Sequence, residues 1–237
     1  MFERPQHRTV LAVLECLRAD VLSASRFLFG GGTRIVLDLD EYRVSQDIDF
    51  LCSDAEGYGS LRFEATRNGP AALFTPQGLD RLRFPREIRV DQYGIRFTVL
   101  LGDEPLKVEL IREARIGLDA GVRLPWSPVD CLSVEDCFAE KLLANSDRWA
   151  DHQILSRDLI DLAALRAWIG PIPEPAWNKV RAAYQRGPEE DLRKALAEFE
   201  RDPARQRHCF DGLQVEDREK DILRGLALLR QEGLVTE

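Results

Sequence analysis

The stretch FLFGGGTRIVLDLDEYRVSQDIDFLCS, residues 27 to 53, constrains this chain more than any other. An apolar run meets three glycines, a second apolar segment follows, and two aspartates then flank one isoleucine. FLF has the length and character of a short strand, which the glycines end. Thr33 is placed to cap a helix over RIVLDL, with Asp38 and Asp40 leading into a polar turn. DIDFLC reads as the next strand. Side chains of a strand alternate, so Asp47 and Asp49 share one face and Ile48 and Phe50 the other. The two carboxylates then stand roughly 7 Å apart along the strand. Like charges that close call for a cation or for hydrogen-bond donors.

Two accounts of the pair are open on the residues alone. Half-exposed strands of antiparallel sheets often carry surface acids. Alternatively a divalent metal compensates them, and Mg²⁺ is the natural choice because it takes hard carboxylate oxygen and shares its shell with substrate phosphates. LKVELI at 106–111 offers a third acid. Its Leu106, Val108 and Leu110 form one face, leaving Glu109 on the other, in a strand able to lie beside DIDF; Asp103 and Asp91 are the other acids of this region able to take that place. Gly31 and Gly32 before a helix let backbone N–H groups approach an anion, which the helix dipole also favours. GGGT is neither a P-loop nor a GxGxxG loop.

The rest of the chain divides by character. RTVLAVLECLRADVLS, residues 8 to 23, has helical apolar spacing. From 60 to 111 apolar residues often alternate, in LRFEA, EIRVD, IRFTVL and LKVELI, with a turn at Gln92, Tyr93 and Gly94; these predict an antiparallel part of the sheet. Beyond LPWSP at 124–128 the pattern turns helical, in VEDCFAEKLLANSDR, RDLIDLAALRAWI, AWNKVRAAYQR, EEDLRKALAEFERD and REKDILRGLALLRQEG. The expected fold is therefore α/β (α+β), a small mixed sheet in residues 1–125 followed by a helical domain in 126–237. The length of 237 residues and 44% hydrophobic content suit it.

The formal net charge of −8 excludes a general polyanion binder, so any nucleic-acid contact must be local. The arginines at 81, 83, 86, 89, 96, 112 and 115 fall in the sheet region, either as solvated strand residues or as the basic strip that an RNA backbone needs. Five scattered cysteines without a CxxC pair suit free thiols in a reducing compartment. The N-terminus lacks an apolar signal region, and no run of about eighteen apolar residues occurs. A cytoplasmic protein without membrane contact is expected. Three dispersed histidines do not make a zinc site, and no GxSxG or HExxH pattern marks a covalent nucleophile or a metalloprotease.

GGT, an apolar helix and then R-x-S-x-D-I-D-F, with Arg43, Ser45, Asp47 and Asp49, resemble the signature of the polymerase-beta-type nucleotidyltransferase superfamily. The chain is most similar to the AbiEii/AbiGii toxin family, to which MenA-type transferases are related. AEKLLANSDR resembles that family's lysine-to-arginine helix motif, with Lys141 and Arg148. RDLIDL resembles its R-D-x-x-D-L motif, with Arg157, Asp158 and Asp161. The resemblance covers roughly residues 27 to 165.

On the residues themselves, Lys141 falls at the edge of an apolar stripe, and Asp158 and Asp161 share a face with Leu162, Leu165 and Trp168. Acids so placed need partners. A structural salt-bridge network and a nucleotide-handling site both satisfy that need.

The resemblance implies a nucleotidyltransferase that moves NMP from an NTP to an acceptor hydroxyl. Asp47, Asp49 and Glu109 would hold two Mg²⁺ ions; Gly31, Gly32, Thr33, Arg43, Ser45, Lys141 and Arg148 would bind nucleotide; Asp158 and Asp161 would orient Lys141 or the acceptor. It further implies the tRNA 3′ end as acceptor, a growth-inhibiting toxin as the role, and a cognate antitoxin as partner. A small-molecule or protein acceptor, and a catalytically silent nucleotide-binding protein of the same fold, are the alternatives.

Overall fold

In the computed structural model, residues 2–185 and 187–232 are described. The chain forms two compact units. The first comprises residues up to Arg34 together with Gln46–Ser133; the second comprises Ile35–Ser45 and the residues from Val134 onward. The sequence expectation placed one boundary near residue 125. The segment 35–45 goes with the helices because Arg43 is ion-paired to Asp161 and the Val44 N–H donates to the Leu213 carbonyl.

The first unit is a mixed α/β layer. Its helices are α1 (Pro5–Leu14), α2 (Ala19–Ala24), the start of α3 (Gly31–Asp38), α4 (Ala55–Asn68) and α5 (Pro76–Arg81). Its strands are β1 (Leu28–Gly30), β2 (Ile48–Cys52), β3 (Leu82–Arg83), β4 (Arg89–Val90), β5 (Gly94–Leu101) and β6 (Glu104–Arg112). The sheet runs β1-β2-β6-β5-β3, with β4 also paired to β5. β2 and β6 are parallel and the other named pairs antiparallel. Alternation gives the sheet a sealed face of Ile48, Phe50, Ile95, Phe97, Val99, Leu106, Val108 and Leu110. The opposite face carries the half-buried Asp49, Arg96 and Glu109 and the exposed Lys107.

Three local expectations are corrected. The helix over 8–23 is broken between α1 and α2. There Leu17 bridges to Phe74, the Arg18 N–H donates to the Leu73 carbonyl and the Thr75 N–H to the Cys16 carbonyl, so this stretch spends its backbone groups on a neighbouring segment. LRFEA lies within α4, where Asp54 caps the start by accepting from the Gly57 N–H at 2.6 Å. Tyr58, Leu61 and Ala65 then bury at helical spacing, leaving Phe63 57% exposed. Thr33 does not cap α3; it lies buried inside the first turn, because Gly31 at φ +66 turns the chain from strand directly into helix. The expected turn at 92–94 is built by Asp91, whose Oδ1 accepts from the Tyr93 and Gly94 N–H groups.

The second unit is helical: the end of α3, then α6 (Val134–Arg148), α7 (Arg157–Trp168), α8 (Glu174–Tyr184), α9 (Pro188–Arg201), α10 (Pro203–Leu213) and α11 (Glu219–Glu232). Gly233, the last residue of the expected REKDILRGLALLRQEG helix, and Arg186 in AWNKVRAAYQR lie outside the described residues. α7 and α11 approach closely at Gly225, where a Cβ would fall 2.7 Å from the Ala163 carbonyl carbon. That contact admits only glycine. Among the described residues no helix is long and apolar enough to cross a membrane.

Candidate active site

The first unit assembles the strand acids at the end of β1. Gly30 of β1 is opposite Asp49 of β2, and Asp49 is in register with Glu109 of the parallel strand β6. The Asp49 side chain folds over Gly31. A Cβ added there would stand 2.9 Å from the Asp49 Cβ and 3.0 Å from its Cγ, so the glycine makes room for the carboxylate. Asp47 stands one residue before β2, half-buried. It forms no ion pair among the described residues.

Glu109 is already engaged. Arg96, opposite it on β5, donates from Nε at 3.2 Å, and Lys107 lies 2.5 Å away on the same strand face. Arg96 also reaches Asp91 at 3.1 Å. Asp103 pairs with Arg83 in the β5–β6 turn. Of the three acids offered for the third place, only Glu109 sits in register with Asp49. Among the described residues no three His, Cys, Asp or Glu side chains stand close enough to hold a metal ion. In donor chemistry the acids nonetheless fit Mg²⁺: Asp47 and Asp49 present hard carboxylate oxygen on a half-open face, and Glu109 joins them only after leaving its two cations.

The second unit collects the other motif residues into one buried network. Asp161 accepts from Arg43 at 2.7 and 2.9 Å, from the Tyr42 hydroxyl at 2.6 Å and from Lys141 at 2.6 Å. Asp158 accepts from Lys141 at 2.9 Å and from Arg148 at 2.7 and 3.0 Å. The helical spacing of Lys141 and Arg148, and of Asp158 and Asp161, turns each pair inward on α6 and α7. Leu155 and Ser156, both left-handed, deliver the chain to the start of α7. Arg157 is half-buried and stays outside the network, and Ser45 is half-buried at the end of its segment.

Burial alone would raise both carboxyl pKa values, but the cations outweigh it. Lys141 and Arg148 hold Asp158 well below the usual carboxylate range, and Arg43 and Lys141 hold Asp161 down. Burial would likewise strip Lys141 of its proton, yet Asp161 and Asp158 keep its pKa above the ordinary lysine value. Lys141 is therefore a fixed cation, unable to serve as a base near neutral pH. Three cations face two carboxylates, so the network carries one net positive charge.

Sequence reasoning missed Tyr42, whose buried hydroxyl completes the shell of Asp161 and whose own pKa rises well above normal through burial and that carboxylate. It also missed the buried pair of Asp136 with Lys179 at 2.5 Å. A tyrosine beside Arg43 in a polar stretch carried no periodic signal.

A mixed sheet with a glycine turn and paired acids, joined to a helical unit bearing a lysine and two aspartates, defines a nucleotidyltransferase fold. The chain belongs to the family described as nucleotidyl transferase AbiEii toxin, Type IV TA system, whose model matches residues 12–226. It is accordingly a nucleotidyltransferase of the toxin component of such systems, with an NTP substrate and an antitoxin partner going with membership. Among solved structures it is similar to JHP933 from Helicobacter pylori, at 19% identity and TM-score 0.54, covering 98% of this chain and 93% of that one. A candidate nucleotidyltransferase from H. pylori gives 19% identity and TM-score 0.52, with 96% and 92% covered. At that identity the likeness establishes the fold. No curated protein matches the chain in sequence.

Proposed function

We propose that the chain transfers a nucleoside monophosphate from an NTP to the hydroxyl at the 3′ end of a tRNA, with Asp47 and Asp49 holding Mg²⁺. The observation that carries this reading is the Asp49 carboxylate folded over Gly31 at the start of α3, in register with Glu109. That arrangement puts acid oxygens beside backbone N–H groups at a helix N-terminus, which are suited to phosphate. Mg²⁺ bound by these acids would supply charge neutralisation for the triphosphate and for the developing oxyanion.

The chain's own groups divide the remaining work. Gly31 and Gly32 offer their N–H groups to phosphate; Thr33, sealed in the helix turn, contributes backbone alone. Glu109, released from Arg96 and Lys107, takes the proton of the attacking hydroxyl. The hydroxyl oxygen bonds to the α-phosphorus, the α–β bridging bond breaks, and pyrophosphate leaves. Lys141, positioned by Asp158 and Asp161, supplies positive charge from the helical unit. Arg43, 3% exposed and bidentate on Asp161, acts through that carboxylate rather than on nucleotide, while Arg148, on the outer side of Asp158, retains access to a ligand.

The test is transfer of label from each α-³²P NTP into total tRNA with Mg²⁺. Label entering with the wild type and not with Asp49→Ala supports the proposal and names the nucleotide. Label entering a small molecule or a protein instead would replace the acceptor while keeping the chemistry.

A further inference from the structure

Lys141, Asn145 and Arg148 follow one another at helical spacing on one face of α6. The first and last belong to the Asp158 network, but Asn145 does not. It is 2% exposed, and its Nδ2 has no hydrogen-bond partner among the described residues. A buried amide N–H left in that state loses its hydration without return. Asn145 forms part of the wall of a small cavity of about 10 Å³ inside the helical unit, and Trp149, Ser156, Asp158, Glu198 and Arg205 stand around the same space. Two of these walls are tied to each other: Arg205 is ion-paired with Glu198 and donates to the Ser156 Oγ at 3.2 Å. Asp158 has capacity left. Among the described residues its Oδ2 accepts from Arg148 Nε alone, and a carboxylate oxygen can accept twice.

We infer that this cavity is the binding site of a single structural water, which accepts from Asn145 Nδ2 and donates to Asp158 Oδ2. The volume is that of about one water-sized sphere, and the walls are polar, as an internal water requires. A cation there would face the Asn145 N–H and the Arg205 guanidinium, and an anion would face the Asp158 and Glu198 carboxylates. Water both accepts and donates, so it suits the whole set, and a larger ligand exceeds the space. It gives Asp158 a fourth hydrogen bond beside the one from Lys141 and the two from Arg148, and it joins α6 to the first turn of α7. The site lies wholly in the helical unit and makes no use of the strand acids.

The test is water–amide NOE and ROE spectroscopy on the full chain labelled with ¹⁵N at asparagine. The chain has three asparagines, Asn68, Asn145 and Asn178. Asn68→Gln and Asn178→Gln, both at exposed positions, assign the Asn145 side-chain amide by elimination. The expected result is NOE and ROE cross-peaks of opposite sign between water and that amide, the mark of a long-held water, with no such pair at Asn68 or Asn178. The same cross-peaks should persist in Ser156→Ala, which removes the exchanging hydroxyl from the cavity wall. A high-resolution crystal structure should show one ordered water within hydrogen-bond distance of both Asn145 Nδ2 and Asp158 Oδ2. An Asn145 amide without the cross-peaks would overturn the site in favour of a dry cavity. Their loss in folded Ser156→Ala would overturn it in favour of hydroxyl exchange, and so would a crystal structure with no water between the two groups.

Discussion

The two aspartate pairs of this molecule are held in opposite ways. In the helical unit, Asp158 and Asp161 are sealed, and every carboxylate oxygen accepts from arginine, lysine or tyrosine. In the sheet unit, Asp47 and Asp49 stay half-buried, and Asp47 has no ion pair among the described residues. Saturated acids fix the geometry of their cations. On the proposed function the half-buried acids would take a metal and a substrate, so the same residue type would serve a positioning role in one region and a chemical one in the other.

The comparison breaks most readily at Asp161. Asp161→Asn leaves Arg43 and Lys141 buried with a lost counter-charge, so urea denaturation should show a loss of about 3–5 kcal/mol. A loss below about 1 kcal/mol would mean that the network is not structural. Asp49→Asn should do the converse. Nucleotide transfer falls by at least about a hundredfold, while stability moves by no more than about 0.5 kcal/mol.

Gly31→Ala tests the contact between the two halves of the acid site. With φ at +66 and the Asp49 side chain in the way, it should cost about 1–3 kcal/mol and displace the carboxylate, read as a fall in transfer together with a lower urea midpoint. The smallest effect is on pH. The carboxyl pKa values of Asp158 and Asp161 are lowered on folding, so their stabilisation is complete above about pH 4 and fades only as pH falls through their depressed values. That of Lys141 is raised, so its contribution is complete below about pH 10 and fades as pH rises past its elevated value. The stability difference between wild type and Asp161→Asn should therefore stay level from about pH 5 to pH 9, measured by urea midpoints.

Much of both regions was legible because it rests on short periodicities. Alternation in DIDF and LKVELI set Asp49 and Glu109 on matching faces, and β2 and β6 pair in that register. Helical spacing in AEKLLANSDR and RDLIDL turned Lys141, Asp158 and Asp161 inward. Features set by distant partners were not legible. The pairing of Glu109 with Arg96 depends on which residue of β5 lies opposite, a register that the Gly102–Asp103 turn between β5 and β6 determines. LRFEA alternated over too few residues to exclude a helix, and the cap at Asp54 settled it. α10 was overlooked although Asp202 caps it and Pro203 follows, because RQRHCFDG offers little apolar periodicity.

The most direct test of the division between open and sealed carboxylates is calorimetric titration of NTP in the presence and absence of Mg²⁺, for wild type, Asp47→Asn and Asp49→Asn at matched folding by circular dichroism. The account predicts Mg²⁺-dependent binding in the wild type that is lost in both variants while their urea midpoints remain in place. Undiminished Mg²⁺-dependent binding by folded Asp49→Asn would contradict it.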